Sequence, residues 1–401
     1  MPLSMRVAPV DERCINPIGF RREPTAHSGT LVRHGAGIRI ERSDGRAVLF
    51  PLSGAVTEFE VDELRDLRHV ELPAALTDDA SKAVVRIVLN LAAAGVPVLA
   101  APSPGLLEAF DPDLAKLLTS SSAEALRERL PRETYSIRLR RHALLRYGTK
   151  ARWRDLAGAG RLPLWNRPKV SVVLCTRRVD MVPFALHQVL QQRGVELEVL
   201  LTLHGIAAAE LRRSHPALET PAHVTVLEVP ASVPLGEVLN HAAARAGGSY
   251  VAKMDDDDWY GPDHLADLVL SQLYSGAELV GTDTEFVYLQ EHDSTVRLWS
   301  DNTESPTHLT DRGLVSGGST LITRNMLEAL GGYRLVPLFE DSELCSAVRS
   351  AGGTVYRQHG LNYLYRRRPP AEHTWQVPTT WFLRERVPEW PGLFMNDLML
   401  A

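Results

Sequence analysis

The chain has 401 residues, 44% of them apolar, with a formal net charge of −5 and a pI near 6.3. That length accommodates about two to three domains with real cores, and the charge gives no general basic field for nucleic acid, despite short runs such as Arg366-Arg367-Arg368. Three distant cysteines, Cys14, Cys175 and Cys345, have no CxxC spacing and suggest neither a disulfide framework nor a zinc site, so a reducing cytoplasm fits best.

The opening MPLSMRVAPVDERC carries acids early and lacks the apolar core of about 7 to 15 residues that a signal peptide needs. The apolar windows at 83–101 and 170–175 are broken by Arg86, Asn90, Gly95 and Pro97, or fall far short of the roughly 20 residues of a membrane helix. No membrane span is expected, and peripheral association stays open.

From about Ala47 the pattern alternates. AVLFPL reads as a strand, SKAVVRIVLNLAAAG as a helix closed by Gly95, VPVLAAP as a buried strand and SPGLLEAF as a helix start. A basic, mostly helical stretch follows from Ala123, and Gly and Pro cluster in GAGRLPLWNRPK, residues 158–169. A first α/β domain over 1–160 is therefore expected, with a structural or partner-binding role.

A second unit opens with the strand KVSVVLCTRR and continues with the helix PFALHQVLQQRG, the strand VELEVLLTLHG, a helix around AAAELRRSH, the strand HVTVLEVP, the helix GEVLNHAAARAGG and the strand SYVAKM. Strands separated by helices form a mostly parallel sheet, and ligands bind outside the carboxyl ends of its strands. Thr176 to Arg178, Leu203 to Gly205 and Asp255 to Asp258 all fall at that edge. Mixed structure continues through 281–299, VSGGSTLITRNMLEALGGYR and FEDSELCSAVRSAGG, and residues 379–401 read as a C-terminal tail.

The last strand delivers four consecutive acids, Asp255 to Asp258. Strand alternation would set Asp255 and Asp257 on one side, with Asp256 and Asp258 on the other. Converging carboxylates suit a hard divalent cation such as Mn²⁺ or Mg²⁺, which keeps places for substrate phosphates. The competing reading is an exposed turn that caps the helix after Pro262.

SVVLCTRR, PLGEVLNHAAARAGGSYVAKMDDDDWYGPDHL and FEDSEL, in this order, resemble the landmarks of family 2 glycosyltransferases over roughly 168–375. The resemblance implies a GT-A fold, a Rossmann-like mixed sheet flanked by helices, over 168–378, preceded by the smaller α/β domain. It also implies a metal-dependent, hexosyl-type transfer from a nucleotide-sugar donor to an acceptor hydroxyl, with inversion. By the same resemblance Asp255 and Asp257 form the D-x-D motif, Asp257 as metal ligand and Asp255 near the ribose. Asp341 stands at the family's base position with Glu340 positioning the acceptor, and His373 stands where several relatives complete the metal shell. Thr176 and Arg178 fall where the opening strand meets the nucleotide, and Asn240 and Lys253 are weaker candidates for the same pocket.

Helix capping, core packing and surface solvation are the plain alternatives for these residues. Of Arg366 to Arg368, one could approach a diphosphate and at least two are expected to be solvated. Ser316 to Ser319, with little side-chain bulk, reads as a turn or a place of close backbone approach. The chain departs from the family at Thr202-Leu203-His204-Gly205, where relatives have an acidic turn, so the donor base is not legible. The acceptor is open among glycan, small molecule and lipid-linked compound. AAAGVPVLAAPSPGLLEAF with the basic helix after it is faintly similar to the closing part of a GT-B lobe. A sugar-phosphate nucleotidyltransferase would need an early glycine-rich loop that CTRRVDMVP lacks, and a non-catalytic sugar-binding module is the remaining rival.

Overall fold

The computed structural model describes residues 2–12, 25–78, 81–159, 167–218, 220–298, 307–309, 313–369, 377–383 and 389–400. The chain divides into two compact units, Met1–Asn166 and Arg167–Ala401.

In the first unit, β1 (Gly29–His34), β2 (Gly37–Arg42), β3 (Ala47–Phe50), β4 (Val70–Leu72) and β5 (Val98–Ala100) form a sheet in the order β3-β2-β1-β4-β5. β1, β4 and β5 run parallel, while β2 and β3 extend the sheet antiparallel. The strands assigned from sequence begin at Ala47 and omit the β1-β2 hairpin. Its signal is the buried Leu31, Ile38 and Ile40 alternating with charged residues on either side of Gly35 and Gly37. The helix Lys82–Ala94 follows its spacing: Ser81 accepts a hydrogen bond from the Val84 amide, and Gly95 ends the helix at φ 83°. The basic helix Arg129–Tyr147 is partly inward-facing, since Arg132 is buried and donates to the carbonyls of Arg65, Leu67 and Arg68. Such carbonyls offer a buried guanidinium the acceptors it needs.

The second unit holds two sheets. The larger has eight strands: β6 (Lys169–Thr176), β7 (Glu196–His204), β8 (Val224–Val229), β9 (Tyr250–Met254), β11 (Leu279–Thr282), β14 (Thr307–His308), β15 (Ser319–Thr323) and β16 (Val355–Gln358). The smaller contains β10 (Trp259–Tyr260), β12 (Phe286–Leu289), β13 (Ser294–Arg297), β17 (Tyr363–Arg367) and β18 (Glu389–Pro391). Strand order in the first is β14-β16-β11-β15-β9-β6-β7-β8, with β6 to β9 mutually parallel and β15 antiparallel to both β9 and β11. β6 is a near-continuous apolar run because helices cover both faces of a parallel sheet. Val173, Leu200, Val251, Leu279 and Ile322 from the sheet pack with Leu239, Leu344 and Val348 from helices. This is the Rossmann-like α/β arrangement that the strand–helix alternation predicts.

Two pairings build the site. The β15–β9 register sets Ser319 opposite Met254, so the Ser316–Gly318 turn runs beside the acids. The β10–β17 register sets Trp259 opposite Leu364, which carries Arg366 and Arg368 alongside the same turn. Of the stretch 379–401, expected as a tail, the described residues 379–383 and 389–400 are built into this unit. Phe382 and Leu398 are buried, β18 pairs with β13, and Trp390 stacks on Phe394 at 4.3 Å. Its Pro- and Trp-rich composition reads as a tail, but part of its apolar surface, Phe382, Leu398 and Met399, is buried, while Trp381, Leu393 and Leu400 stay exposed. Among the described residues no helix is long and apolar enough to cross a membrane.

Candidate active site

β6 and β9 are adjacent and parallel, so their carboxyl ends bring Thr176 and Arg178 to the acid turn. The Thr176 hydroxyl donates to Asp256, and Arg178 binds Asp256 through Nε at 3.1 Å and Asp257 through Nη2 at 2.9 Å. Arg368 adds a contact to Asp257 at 3.3 Å. On the other side, Asp255 receives Lys253 Nζ at 2.6 Å, and the Asp258 carboxylate accepts from the Tyr363 hydroxyl at 2.6 Å and the Arg366 amide at 2.8 Å.

The four acids therefore do not alternate as a strand would. Arg178 joins Asp256 to Asp257, while Asp255 and Asp258 both border Gly318, where an added Cβ would stand 2.8 Å and 2.9 Å from their oxygens. The reason is local: β9 ends at Met254 and the chain turns at once. Tyr260 fixes that turn, accepting from the Asp255 amide at 2.7 Å and donating to the Gly318 carbonyl at 2.6 Å.

Burial, reinforced by Asp257 and Asp255, pushes Asp258 well above the usual carboxylate range. Asp257 is pushed up to about 6 by burial; Arg178 and Arg368 pull it down, but Asp256 and Asp255 raise it. Two arginines thus leave this carboxylate short of positive charge.

The helix Glu340–Ser350 presents Glu340 and Asp341 at its first turn, where the helix dipole favours carboxylates. Phe339, just before it, is in the left-handed region at φ 66°. The Asp341 carboxylate approaches Gly317 so closely that an added Cβ would stand 2.5 Å from Oδ2. Ser316 to Ser319 is thus a turn whose glycines admit acids from both sides. Lys253 links the two groups, its Nζ lying 3.0 Å from the Gly317 carbonyl and 3.6 Å from Glu340. Burial alone would lower the Lys253 pKa, but Asp255, Glu340 and Asp341 raise it well above the usual lysine range.

Other expected residues are placed differently. Asn240 uses its amide on backbone, donating to the Tyr333 carbonyl at 2.8 Å and accepting from the Tyr333 amide at 2.7 Å, which latches the 331–339 loop to the helix Leu235–Ala243. Lys253, expected in the donor pocket, is buried beneath the acids. Of the three arginines expected to be mostly solvated, Arg367 is buried, Arg368 pairs with Asp257, and Arg366 lies 4.0 Å from the centre of the Trp259 ring and 4.8 Å from that of Phe184. The neighbouring strand pairing withdraws them from water. His204 is buried at the end of β7, where burial and Arg177 lower its pKa. His373 falls in 370–376, outside the described residues. Tyr260 and Tyr363 escape sequence reading, because only pairing shows that two tyrosines reach the acid turn.

The donor set at the turn is hard oxygen, and Asp257, pushed up to about 6 with Arg178 and Arg368 beside it, fits a divalent cation. Among the described residues no group of three or more His, Cys, Asp or Glu could hold a metal alone, so the remaining places would go to substrate oxygens and water.

Residues 171–330 match the model of the family described as "Glycosyl transferase family 2". No curated protein matches the chain. A solved structure, the mannosyltransferase PcManGT from Pyrobaculum calidifontis in complex with GDP-Man and Mn2+, is similar at 16% identity with a TM-score of 0.37. The match covers 54% of this chain and 59% of that one. The matched segment 171–330 lies in the second unit and takes in the acid turn Asp255–Asp258 together with Ser316–Ser319, so this part of the chain is similar to glycosyl transferase family 2.

Proposed function

We propose that the second unit, 167–401, transfers a sugar from a nucleotide-sugar donor to an acceptor hydroxyl in a metal-dependent, inverting reaction with Asp341 as general base. The observation that carries this reading is the bridge through Lys253 and Gly317, which holds the acid turn and Glu340-Asp341 on one sheet edge. Thr176, Arg178 and the turn bind the nucleotide end of the donor, with Asp255 toward the ribose.

A divalent cation, Mn²⁺ or Mg²⁺, held by Asp257 would neutralise the charge that grows on the diphosphate. Arg368 and Arg178, already at Asp257, orient the same oxygens by charge-assisted hydrogen bonds. Asp341 takes the acceptor proton as the acceptor oxygen bonds to the anomeric carbon and the diphosphate departs from its opposite face. Proton transfer of this kind contributes about 10²–10⁴-fold. Glu340, tied to Lys253, holds the helix start and the acceptor in place.

The test is a panel of nucleotide sugars with Mn²⁺ and mixed acceptors, read by release of nucleoside diphosphate and by the anomeric configuration of the product. Asp341→Asn with undiminished transfer would remove Asp341 from the base role. A retained anomeric configuration would remove inversion.

A further inference from the structure

Of the three arginines that close β17, Arg368 pairs with Asp257 at 3.3 Å, and Arg367 turns to the other side of the strand, buried, with its guanidinium 5.7 Å from the centre of the Phe382 ring. Arg366 is different. Among the described residues no carboxylate lies within ion-pair distance of its guanidinium, and its buried Nε has no hydrogen-bond partner. A guanidinium has five donors and no acceptor, so an N–H closed off from water without an oxygen to meet is destabilising unless a ligand supplies one.

The side chain is nonetheless held in place. β17 pairs with β12 at Arg366 and Tyr288 and with β10 at Leu364 and Trp259, so Trp259 and Arg366 stand on one face of the smaller sheet. Phe184 reaches the same place from the helix Val182–Leu190 and meets Trp259 edge-on, ring centres 5.7 Å apart. The guanidinium lies 4.0 Å from the centre of the Trp259 ring and 4.8 Å from that of Phe184, both cation–π distances. Ring faces fix its plane but offer no oxygen to its N–H groups. Its backbone amide donates to Asp258 at 2.8 Å, and Arg368 follows on the same side of the strand, about 7 Å further along, so Arg366 borders the acid turn without belonging to the Asp257 pairings. Burial lowers its pKa, Arg368 and Arg178 add to the lowering, and Asp257 and Asp258 offset only part of it.

We infer that Arg366 binds a phosphate monoester carried by the acceptor. The inference rests on the reading of the acid turn as the donor's diphosphate site, served by Arg178 and Arg368, which leaves Arg366 for a second oxyanion. The planar fork of a guanidinium presents parallel N–H groups to two phosphate oxygens. Trp259 and Phe184 already hold that fork, so little side-chain freedom remains to be lost on binding. A doubly charged phosphate, with two further arginines near, is attracted more strongly than a single carboxylate.

Calorimetry and saturation-transfer NMR with glucose 6-phosphate, glucuronate and glucose test this, with Mn²⁺ and pyrophosphate present to fill the diphosphate site. Glucose 6-phosphate should bind at least about tenfold more tightly than glucose, the gain expected of hydrogen bonds to a charged group, with glucuronate between them. Geranyl phosphate in place of the sugar phosphate tells a lipid carrier from a sugar. Arg366→Gln should bring the preference for phosphate within about twofold while leaving the affinity for Mn²⁺ and pyrophosphate unchanged. Arg366→Lys, which keeps the charge and loses the fork, should fall between wild type and Arg366→Gln. Arg212→Gln, at an exposed arginine of the helix Ala208–Ser214, should keep the full preference. Equal binding of glucose 6-phosphate and glucose, tighter binding of glucuronate than of the phosphate, or a preference that survives Arg366→Gln would each overturn the inference. So would displacement of glucose 6-phosphate by pyrophosphate, or loss of pyrophosphate affinity in Arg366→Gln, since either would return Arg366 to the diphosphate. A wild type that binds glucose 6-phosphate but not Mn²⁺ with pyrophosphate would sink the donor reading instead, so the two failures are told apart.

Discussion

Lys253 stands 3.6 Å from Glu340, and this contact between two buried side chains joins the acid turn to the start of the helix Glu340–Ser350. Three segments far apart in sequence, 253–257, 316–318 and 340–341, meet around its ammonium. Lys253→Met would leave Asp255 and Glu340 without their shared cation. Breaking a buried pair costs about 3–5 kcal/mol, so the melting temperature should fall, and Lys253→Met/Glu340→Gln should recover part of the loss. Thermal melts of wild type and both variants decide it; a single variant that melts like the wild type removes the bridge.

At Gly317 the nearest atoms to an added methyl all belong to the Asp341 side chain, with Oδ2 closest at 2.5 Å. Gly317→Ala should therefore barely change the melting temperature yet lower kcat about tenfold or more by displacing the base, as small misplacements of reacting groups do. Gly318→Ala meets Asp255, Asp258 and Tyr363 together, in a buried and hydrogen-bonded setting. Overpacking there should destabilise by about 1–3 kcal/mol. Equal melting temperatures for the two variants would contradict this division.

Asn240 offers a test of latch against donor contact. Asn240→Ala removes both hydrogen bonds to Tyr333, which should cost about 1–3 kcal/mol and loosen the 331–339 loop. Nucleoside diphosphate affinity, measured by calorimetry, should stay within about twofold. A large drop in affinity with unchanged stability would return Asn240 to the donor pocket.

Acid should weaken the second unit through His264. This histidine is fully buried, between Ser319 at 3.0 Å and Asn362 at 3.2 Å, and burial lowers its pKa to about 4 although Asn362 and Asp267 oppose this. Above the unfolded pKa, near 6.5, both states are neutral. As pH falls from there toward 4 the unfolded chain binds a proton that the folded one refuses, so stability declines, by up to about 1.4 kcal/mol per pH unit. Denaturant melts at pH 7.5, 6.0 and 4.5 should show this slope, and His264→Gln should flatten it. An unchanged slope in the variant would assign the acid sensitivity to other groups.

Chelation tests the metal requirement. Removal of divalent cations with EDTA should stop sugar transfer, and Mn²⁺ or Mg²⁺ should restore it; Asp257→Asn should not be rescued by either. Full turnover in the presence of EDTA would refute the metal requirement.

Much of the second unit was legible because its local signals agree. KVSVVLCT forms a buried strand, and four acids following an apolar run mark the carboxyl edge of a parallel sheet, while the helix expected to reach Gly194 stops at Leu190 and leaves Gly194, at φ 80°, in the loop after it. The β1-β2 hairpin and the packing of 379–401 were not legible, since a short alternation and a Pro-rich composition each suit more than one structure.

Sequence by itself determined which chemistry is present: carboxylates at Asp255–Asp258 and Glu340-Asp341, basic groups at Arg178 and Arg366–Arg368, and glycines at 317 and 318. It could not determine how the acids pair. Alternation predicted Asp255 with Asp257, but Arg178 binds Asp256 with Asp257, and Gly318 lies between Asp255 and Asp258. That division depends on an antiparallel strand arriving from residue 319 and another from 363, more than fifty residues away in each case. Charge and hydrogen bonding act through space, so only the folded sheet could assign each acid its partner.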